Sequence, residues 1–413
     1  MNEGADHSTK GANPETQEDA DFDFGPDTWP DMKGITVLQV LPALGAGGGV
    51  ELGAVEVTEA IVARGGRALV ASNGGADEHK IKRVGGEHIL LPMHSKNLFV
   101  MFANIGRLES LIKNEGVQIV HARSRAPAWS AFFAARRAGV PFITTFHGLY
   151  STGNVLKRRY NSVMARGERV IATSRFIAGH LYQTYGTPSG KIRTIHRGVN
   201  LDRFHPARVS VERVTVLAAD WRLEDGLPVV MLPGRLTRWK GQIMLIEAVA
   251  KLDRRDFRCL LVGGDQGRVE YRRELENLVT KHGLDEIVRI VDHCDDMPAA
   301  YMMADVVVSA STDPEAFGRV LVEAQALGRP VVASNHGGAR ETVIEGETGW
   351  MFPAGDVKVL AVMLEMALNL PGEARKTLAK KAINHVRENF SKQAMCDKTL
   401  RVYREILDEK AGG

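Results

Sequence analysis

Cysteine is scarce in this chain. Cys259, Cys294 and Cys396 are the only three in 413 residues. They are odd in number, far apart and without metal-ligand spacing, so they suggest neither a disulfide frame nor a metal site. A reducing cytoplasm suits such a chain. Long apolar runs are missing as well. The nearest candidate, residues 299–310, is short and carries Asp305, whereas about 20 residues are needed to span a bilayer. The N-terminus shows no basic segment followed by an apolar core, so no secretory signal is expected. What remains is an ordinary globular composition, 44% hydrophobic and 25% charged. The length suggests two or three domains.

Charge is unevenly placed. Residues 1–33 hold nine acids and two bases, a net −7, which leaves +10 on the rest of a chain whose total is +3. Few aliphatics accompany those acids, so residues 1–33 read as a disordered acidic tail. The basic body suits an anionic small molecule and peripheral contact with an anionic membrane. Nucleic acid is not expected as a partner.

Short apolar runs at 35–41, 68–71, 88–92, 117–122, 141–145, 169–173 and 192–195 are interleaved with helical patterns at 50–64, 99–114 and 126–138. That alternation predicts a parallel sheet covered on both faces. The pattern breaks after about residue 202. It resumes with runs at 229–232, 258–262, 288–291, 306–308 and 330–333. The chain therefore divides into an α/β domain at 34–205, a linker at 206–228, a second α/β domain at 229–388 and a last helical segment at 389–413.

The most informative stretch is residues 314–323, Pro-Glu-Ala-Phe-Gly-Arg-Val-Leu-Val-Glu. A strand ends just before it. A helix is predicted from near Phe317 to the Gly328-Arg329-Pro330 stop. The amides of Gly318, Arg319, Val320 and Leu321 would then lie free at a helix N-terminus, a natural phosphate site. Glu315 and Glu323 would repel phosphates, so they are assigned to hydroxyls, such as those of a sugar and a ribose. Arg235 and Lys240 follow the first strand of the second series, where a cation pair beside glycine suits a diphosphate. His147 lies just beyond a strand end in the first series, where ligands gather in α/β sheets.

Other candidates are weaker. Gly45 and Gly47 hint at a dinucleotide fingerprint, but its third glycine would be Val50 and no acid closes the next strand. Nicotinamide and flavin are therefore not expected, and Gly48 and Gly49 are kept as a loop of close ligand approach. Asp292, Asp295 and Asp296 lack the spacing of a metal site. His121 and His196 have slighter claims than His147. Arg123 and Arg125, and the stretch Lys157-Arg158-Arg159 with Arg166, face either an acidic acceptor or solvent.

The region from Glu315 to Gly349 resembles the Glu-x7-Glu block of retaining glycosyltransferases of family 4. It includes Gly328-Arg329-Pro330, Gly337-Gly338-Ala339-Arg340-Glu341 and Gly346-Glu347-Thr348-Gly349. The likeness extends to Gly48-Gly49-Val50-Glu51, to His147, and to Gly234-Arg235 with Lys240-Gly241, where four residues rather than five separate Arg235 from Lys240. The resemblance implies the GT-B fold, two Rossmann-like domains with parallel sheets facing across a cleft. It also implies a last helix that crosses back onto the first domain.

The activity it implies is metal-independent transfer from a nucleotide diphosphate sugar, without a bound cofactor, to a glycan or lipid-linked acceptor. Envelope polysaccharide or lipopolysaccharide synthesis, at the inner face of a membrane, is the setting it suggests. By resemblance, Glu315 orients the sugar and His147 lines its pocket. Arg235, Lys240 and the amides of Gly318, Arg319, Val320 and Leu321 hold the diphosphate, Glu323 takes the ribose, and Gly48 and Gly49 face the donor phosphates. One departure stands out. His196-Arg197-Gly198-Val199-Asn200 occupies the place where relatives often show Pro-Asn-Gly-Val-Asp. A nucleotide-sugar epimerase, or a non-catalytic nucleotide-sugar-binding protein, would fit the same fold. A phosphorylase would need a cofactor-lysine segment that the chain does not show.

Overall fold

The computed structural model describes residues 29–45, 48–150, 153–223 and 225–412. Seven strands form the first sheet: β1 (Thr36–Val40), β2 (Arg67–Ser72), β3 (Glu87–Leu90), β4 (Ile119–Ala122), β5 (Phe142–Phe146), β6 (Arg169–Ala172) and β7 (Ile192–Thr194). Six form the second: β8 (Val229–Pro233), β9 (Arg258–Val262), β10 (Val288–Val291), β11 (Val306–Ser309), β12 (Val331–Ser334) and β13 (Gly349–Phe352). The orders are β3-β2-β1-β4-β5-β6-β7 and β10-β9-β8-β11-β12-β13, and every pairing is parallel. Both are Rossmann-like, with the strand order reversing beside β1 and beside β8. Ligands bind at the carboxyl ends of strands at such points.

The strands read as continuous apolar runs because both faces are covered. Period-two alternation still sorts the side chains. In β8, Val230 and Leu232 enter one core, and Val229 and Met231 enter the other. In the first domain, Leu38 and Val40 face one core, while Val37 shares the other with Ile119, Ile143 and Ile171. The helix Lys392–Ala411 covers this last face with Met395, Cys396, Leu400, Tyr403 and Ile406. Each buried side chain of this size contributes about 1.5–3 kcal/mol. Fully buried His121 lies 2.7 Å from both the Tyr403 hydroxyl and Thr145 Oγ1, so its polar atoms tie the sheet to the returning helix.

The chain crosses between domains twice, and the two crossings touch. Val199 donates its amide to the Phe390 carbonyl at 2.8 Å, and Lys392 donates back to Val199 at 2.9 Å. A Cβ on Gly198 would stand 2.4 Å from Lys392 Cα, so only glycine permits this approach.

Two boundaries differ from the sequence expectation. The acidic tail was expected to reach Lys33, but Met32 is fully buried and its amide bonds the Arg64 carbonyl. Trp29 lies under the Arg64 guanidinium, 3.5 Å from the ring centre. These contacts hold the described end of the tail against the first domain; residues 1–28 lie outside the described residues. The expected linker, 206–228, contains the helix Val211–Asp220. Phe204, Val209, Trp221 and Leu223 belong to a second-domain core, so this segment is packed as part of that domain.

Candidate active site

The second-domain half of the site lies at the carboxyl ends of β8 and its neighbour β11. Arg235 is exposed two residues beyond β8. Lys240 ends the short turn Arg238–Lys240, and its Nζ reaches Glu315 Oε1 at 2.8 Å. The Ser309 hydroxyl donates to the same oxygen at 3.2 Å, and the Ser311 hydroxyl donates to it as well. Burial pushes the Glu315 carboxyl up, but Lys240 and the two serines outweigh it and hold the group below the usual glutamate range. All these bonds go to Oε1. Among the described residues Oε2 has no protein hydrogen-bond partner, which leaves it to accept from a hydroxyl.

The backbone at Glu315 is braced by two glycines. Gly338 donates to the Glu315 carbonyl at 2.8 Å. A Cβ on Gly337 would fall 2.5 Å from that carbonyl oxygen, and one on Gly338 would fall 2.5 Å from Phe317 Cα. The helix follows as Arg319–Ala326, beginning two residues later than the expected Phe317. Its N-cap is Gly318 at φ +91°, with no side-chain cap. Leu321, expected to offer a free amide, instead donates to the Gly318 carbonyl at 3.0 Å and is fully buried. The tight first turn uses that donor, so the open amides are those of Gly318, Arg319 and Val320. Glu323 lies one turn along the helix. It accepts from the Tyr301 hydroxyl at 3.0 Å and pairs with Arg319 at 3.2 Å.

The first-domain half gathers behind β1, β4 and β5. Gly48 caps the helix Gly49–Ala63 without a side-chain bond, and the Glu51 carboxylate folds back over it. His147 directly follows β5. Its Nδ1 accepts from Arg197 Nη1 at 3.2 Å, so the ring proton sits on Nε2, which is buried without a partner. Burial, then the charges of Arg197 and Arg123, push the imidazole well below its ordinary value, and the ring is neutral. Arg319 comes across from the second domain. A Cβ on Gly49 would lie 3.4 Å from Arg319 Nη1 and 3.7 Å from Arg197 Nη1.

A separate contact joins the halves. Glu341 of the second domain accepts from the backbone amides of Arg175 and Phe176 at 2.8 and 2.9 Å. These amides open the first-domain helix Arg175–Tyr185. His196 Nε2 donates to the same carboxylate at 2.7 Å.

The chain matches the family described as "Glycosyltransferase Family 4" over residues 47–203, and "Glycosyl transferases group 1" over residues 216–385. It is 31% identical over 332 residues to the D-inositol 3-phosphate glycosyltransferase of Salinispora tropica, covering 74% of this chain and 68% of that one. A glycosyltransferase structure from Rickettsia africae superposes with a TM-score of 0.84 at 37% identity, over 90% of this chain and 98% of the other. This protein belongs to glycosyltransferase family 4. Its two sheets form the GT-B fold, shared also with Anabaena HepE solved with UDP-glucose, at TM-score 0.79 and 22% identity over 90% of this chain and all of that one.

Of the weaker candidates, two of the three aspartates in the 292–296 loop are engaged elsewhere. Asp292 pairs with Arg272, and Asp296 with Arg213. Among the described residues no group of three or more His, Cys, Asp or Glu converges. Sequence reasoning passed over Ser309, Ser311 and Tyr301, which complete the carboxylate environments of this glycosyltransferase. It also gave no role to Glu56 or Arg197. Only the departure at 196–200 marked Arg197.

Proposed function

We propose that this glycosyltransferase moves a sugar from a nucleotide diphosphate sugar to an acceptor hydroxyl, with retention at the anomeric carbon and without a metal ion. The observation that carries the reading is the Lys240–Glu315 pair beside the open amides of Gly318, Arg319 and Val320. Arg235, Lys240 and these amides give fixed positive charge where the diphosphate leaves. Glu315 Oε2 accepts a hydroxyl of the transferred sugar, Glu323 takes the ribose, and neutral His147 donates from Nε2 across the cleft. The acceptor attacks from the face of the departing diphosphate, and a leaving phosphate oxygen takes its proton. Closure of the domains excludes water.

Curated relatives are named for a phosphorylated inositol acceptor, which favours a polyol or glycan hydroxyl as the attacking group. A lipid-linked envelope glycan is the larger acceptor of the same chemistry. A surface feature supports it. Leu98, Phe99, Phe102, Val155 and Leu156 are exposed beside Lys96, Lys157 and Arg159. The helix Arg125–Ala138 joins the two segments: Ser130 bonds the Met101 carbonyl and Trp129 bonds that of Tyr160. Such an apolar and basic face suits peripheral contact with an anionic membrane from the cytoplasmic side.

The test is thermal unfolding with UDP, GDP, ADP and their glucose conjugates, with and without EDTA, followed by NMR of the product's anomeric proton. A rise in midpoint with one base, unchanged by EDTA, and a product with the donor's configuration are expected. Absence of any shift would overturn the donor reading, and an inverted product would overturn retention.

A further inference from the structure

Two buried arginines beside the donor site make no direct ion pair. The nearest opposing charge is the buried Glu56 carboxyl, which burial pushes up to about 7 and so leaves only partly ionised at neutral pH. Arg123 and Arg197 are only 4% and 8% exposed. Arg123 spends Nε on Gln39 Oε1 at 2.5 Å, and Arg197 spends Nη1 on His147. Arg123 Nη2, Arg197 Nε and Arg197 Nη2 are buried with no partner, as are His147 Nε2 and Glu56 Oε2. Neither arginine lies within ion-pair distance of a carboxylate among the described residues.

The groups are close together. A Cβ on Gly53 would lie 3.2 Å from Arg197 Nη2 and 3.6 Å from Arg123 Nη1. Gly49 and Gly53, one turn apart, present a bare helix flank that admits both guanidiniums. That flank is also near the positive end of the helix Gly49–Ala63. Like charges gathered there, away from water and with donors unfilled, are costly without an anion. A guanidinium fork with two free donors matches a carboxylate or phosphate.

In the proposed function the donor diphosphate is held by Lys240, Arg235 and the amides of Gly318, Arg319 and Val320 on the opposite domain. Arg197 instead bonds His147, which in the reading above faces the transferred sugar. It also occupies the position where family members often carry asparagine. We propose that Arg197, with Arg123 beside it, binds a second oxyanion, a carboxylate or phosphate borne by the transferred sugar or by the acceptor. This makes Arg197 a determinant of specificity for an acidic substrate. The inference rests on the donor reading of the preceding section.

The experiment compares wild type with Arg197→Asn and Arg197→Lys by titration calorimetry and transfer rate. The donor arm uses UDP, UDP-glucose and UDP-glucuronate, or the same series on whichever base shifts the melting midpoint. The acceptor arm uses inositol and inositol 3-phosphate. Wild type should prefer the anionic member of one arm, and the arm identifies the source of the oxyanion. Arg197→Asn should weaken that member at least tenfold, leave free nucleotide within about twofold, and erase the preference; Arg197→Lys should restore part of it.

Three results overturn the proposal: no anionic preference in either arm, equal losses on neutral and anionic members, or a loss on free nucleotide as large as that of Lys240→Ala. The last would make Arg197 a diphosphate contact. If wild type binds no nucleotide at all, the donor reading fails first, and the second site falls with it. Equal melting midpoints for the asparagine and lysine variants separate a binding role from a folding one.

Discussion

Glu341 and His196 meet 2.7 Å apart across the domain boundary, and the same carboxylate caps the helix Arg175–Tyr185 of the opposite domain. Burial pushes the Glu341 carboxyl up, but His196 and the Phe176 and Arg175 amides hold it below the usual range. A carboxylate with a depressed folded value contributes stability above the ordinary glutamate pKa. That contribution is lost as pH falls through the depressed value. Glu341→Gln should therefore lower the melting midpoint at pH 7 and differ less from wild type under acid conditions. The bonds lost are worth on the order of 1–3 kcal/mol. Because this contact sets how the domains meet, the variant should also lose several-fold in kcat/KM while still binding nucleotide. Melting curves across pH and steady-state rates check both parts. A constant difference at every pH would exclude the charged contact.

Lys240 and Glu315 are mutually dependent, since each is the other's charged partner in a largely buried place. Removing one leaves the other uncompensated, typically at a cost of about 3–5 kcal/mol. Lys240→Ala should reduce transfer at least 100-fold and lower the melting midpoint. The double variant Lys240→Ala, Glu315→Ala should recover part of the stability and none of the activity. A double-mutant cycle on both readouts separates the two effects. Additive melting losses would show that the pair does not couple.

The face formed by Leu98, Phe99 and Phe102 with Val155 and Leu156 gives a binding prediction. Phe99 is 88% exposed and Leu156 78%, far more than a folded core would leave. Among the described residues no helix is long and apolar enough to cross a membrane. Wild type should co-sediment with vesicles containing phosphatidylserine or phosphatidylglycerol and less with neutral ones, with salt weakening the binding. Phe99→Asp with Leu156→Asp should reduce it several-fold without lowering the melting midpoint. Equal binding by the variant would remove this face from consideration.

Much of the architecture was legible because its strands are short apolar runs of buried residues, such as 229–232 and 306–308. The second-domain half of the candidate site was legible as a cluster because Glu315, Gly318 and Glu323 lie within one short segment. Leu321 differs from the sequence expectation, since one tight turn directs its amide to the Gly318 carbonyl and no residue type announces it. Val214, Leu217, Ala218 and Trp221 recur at helical spacing, but they follow the break in the strand pattern after residue 202, so the segment reads as a linker until the second-domain core that receives it is seen. The contacts of the first-domain half were beyond sequence reading. Arg197 and His147 are 50 residues apart, and His196 and Glu341 are 145 apart. Only the fold brings such pairs together.

Glu56 gives the clearest pH signature. It is 5% exposed, and burial pushes its carboxyl up to about 7 despite the opposing charges of Arg197, Lys392, Arg319 and Arg123. The unfolded chain titrates this residue near its ordinary 4.5. Between those values the native state holds a proton that the unfolded state has lost, so stability falls as pH rises through the window. The full effect, at about 1.4 kcal/mol per unit, is on the order of 3 kcal/mol. Glu56→Gln keeps the shape and removes the titration. Its melting midpoint relative to wild type should therefore climb by several degrees between pH 5 and pH 8. A difference that stays flat across that range would mean Glu56 is ionised throughout, and would give Arg123 and Arg197 the carboxylate partner that their geometry lacks.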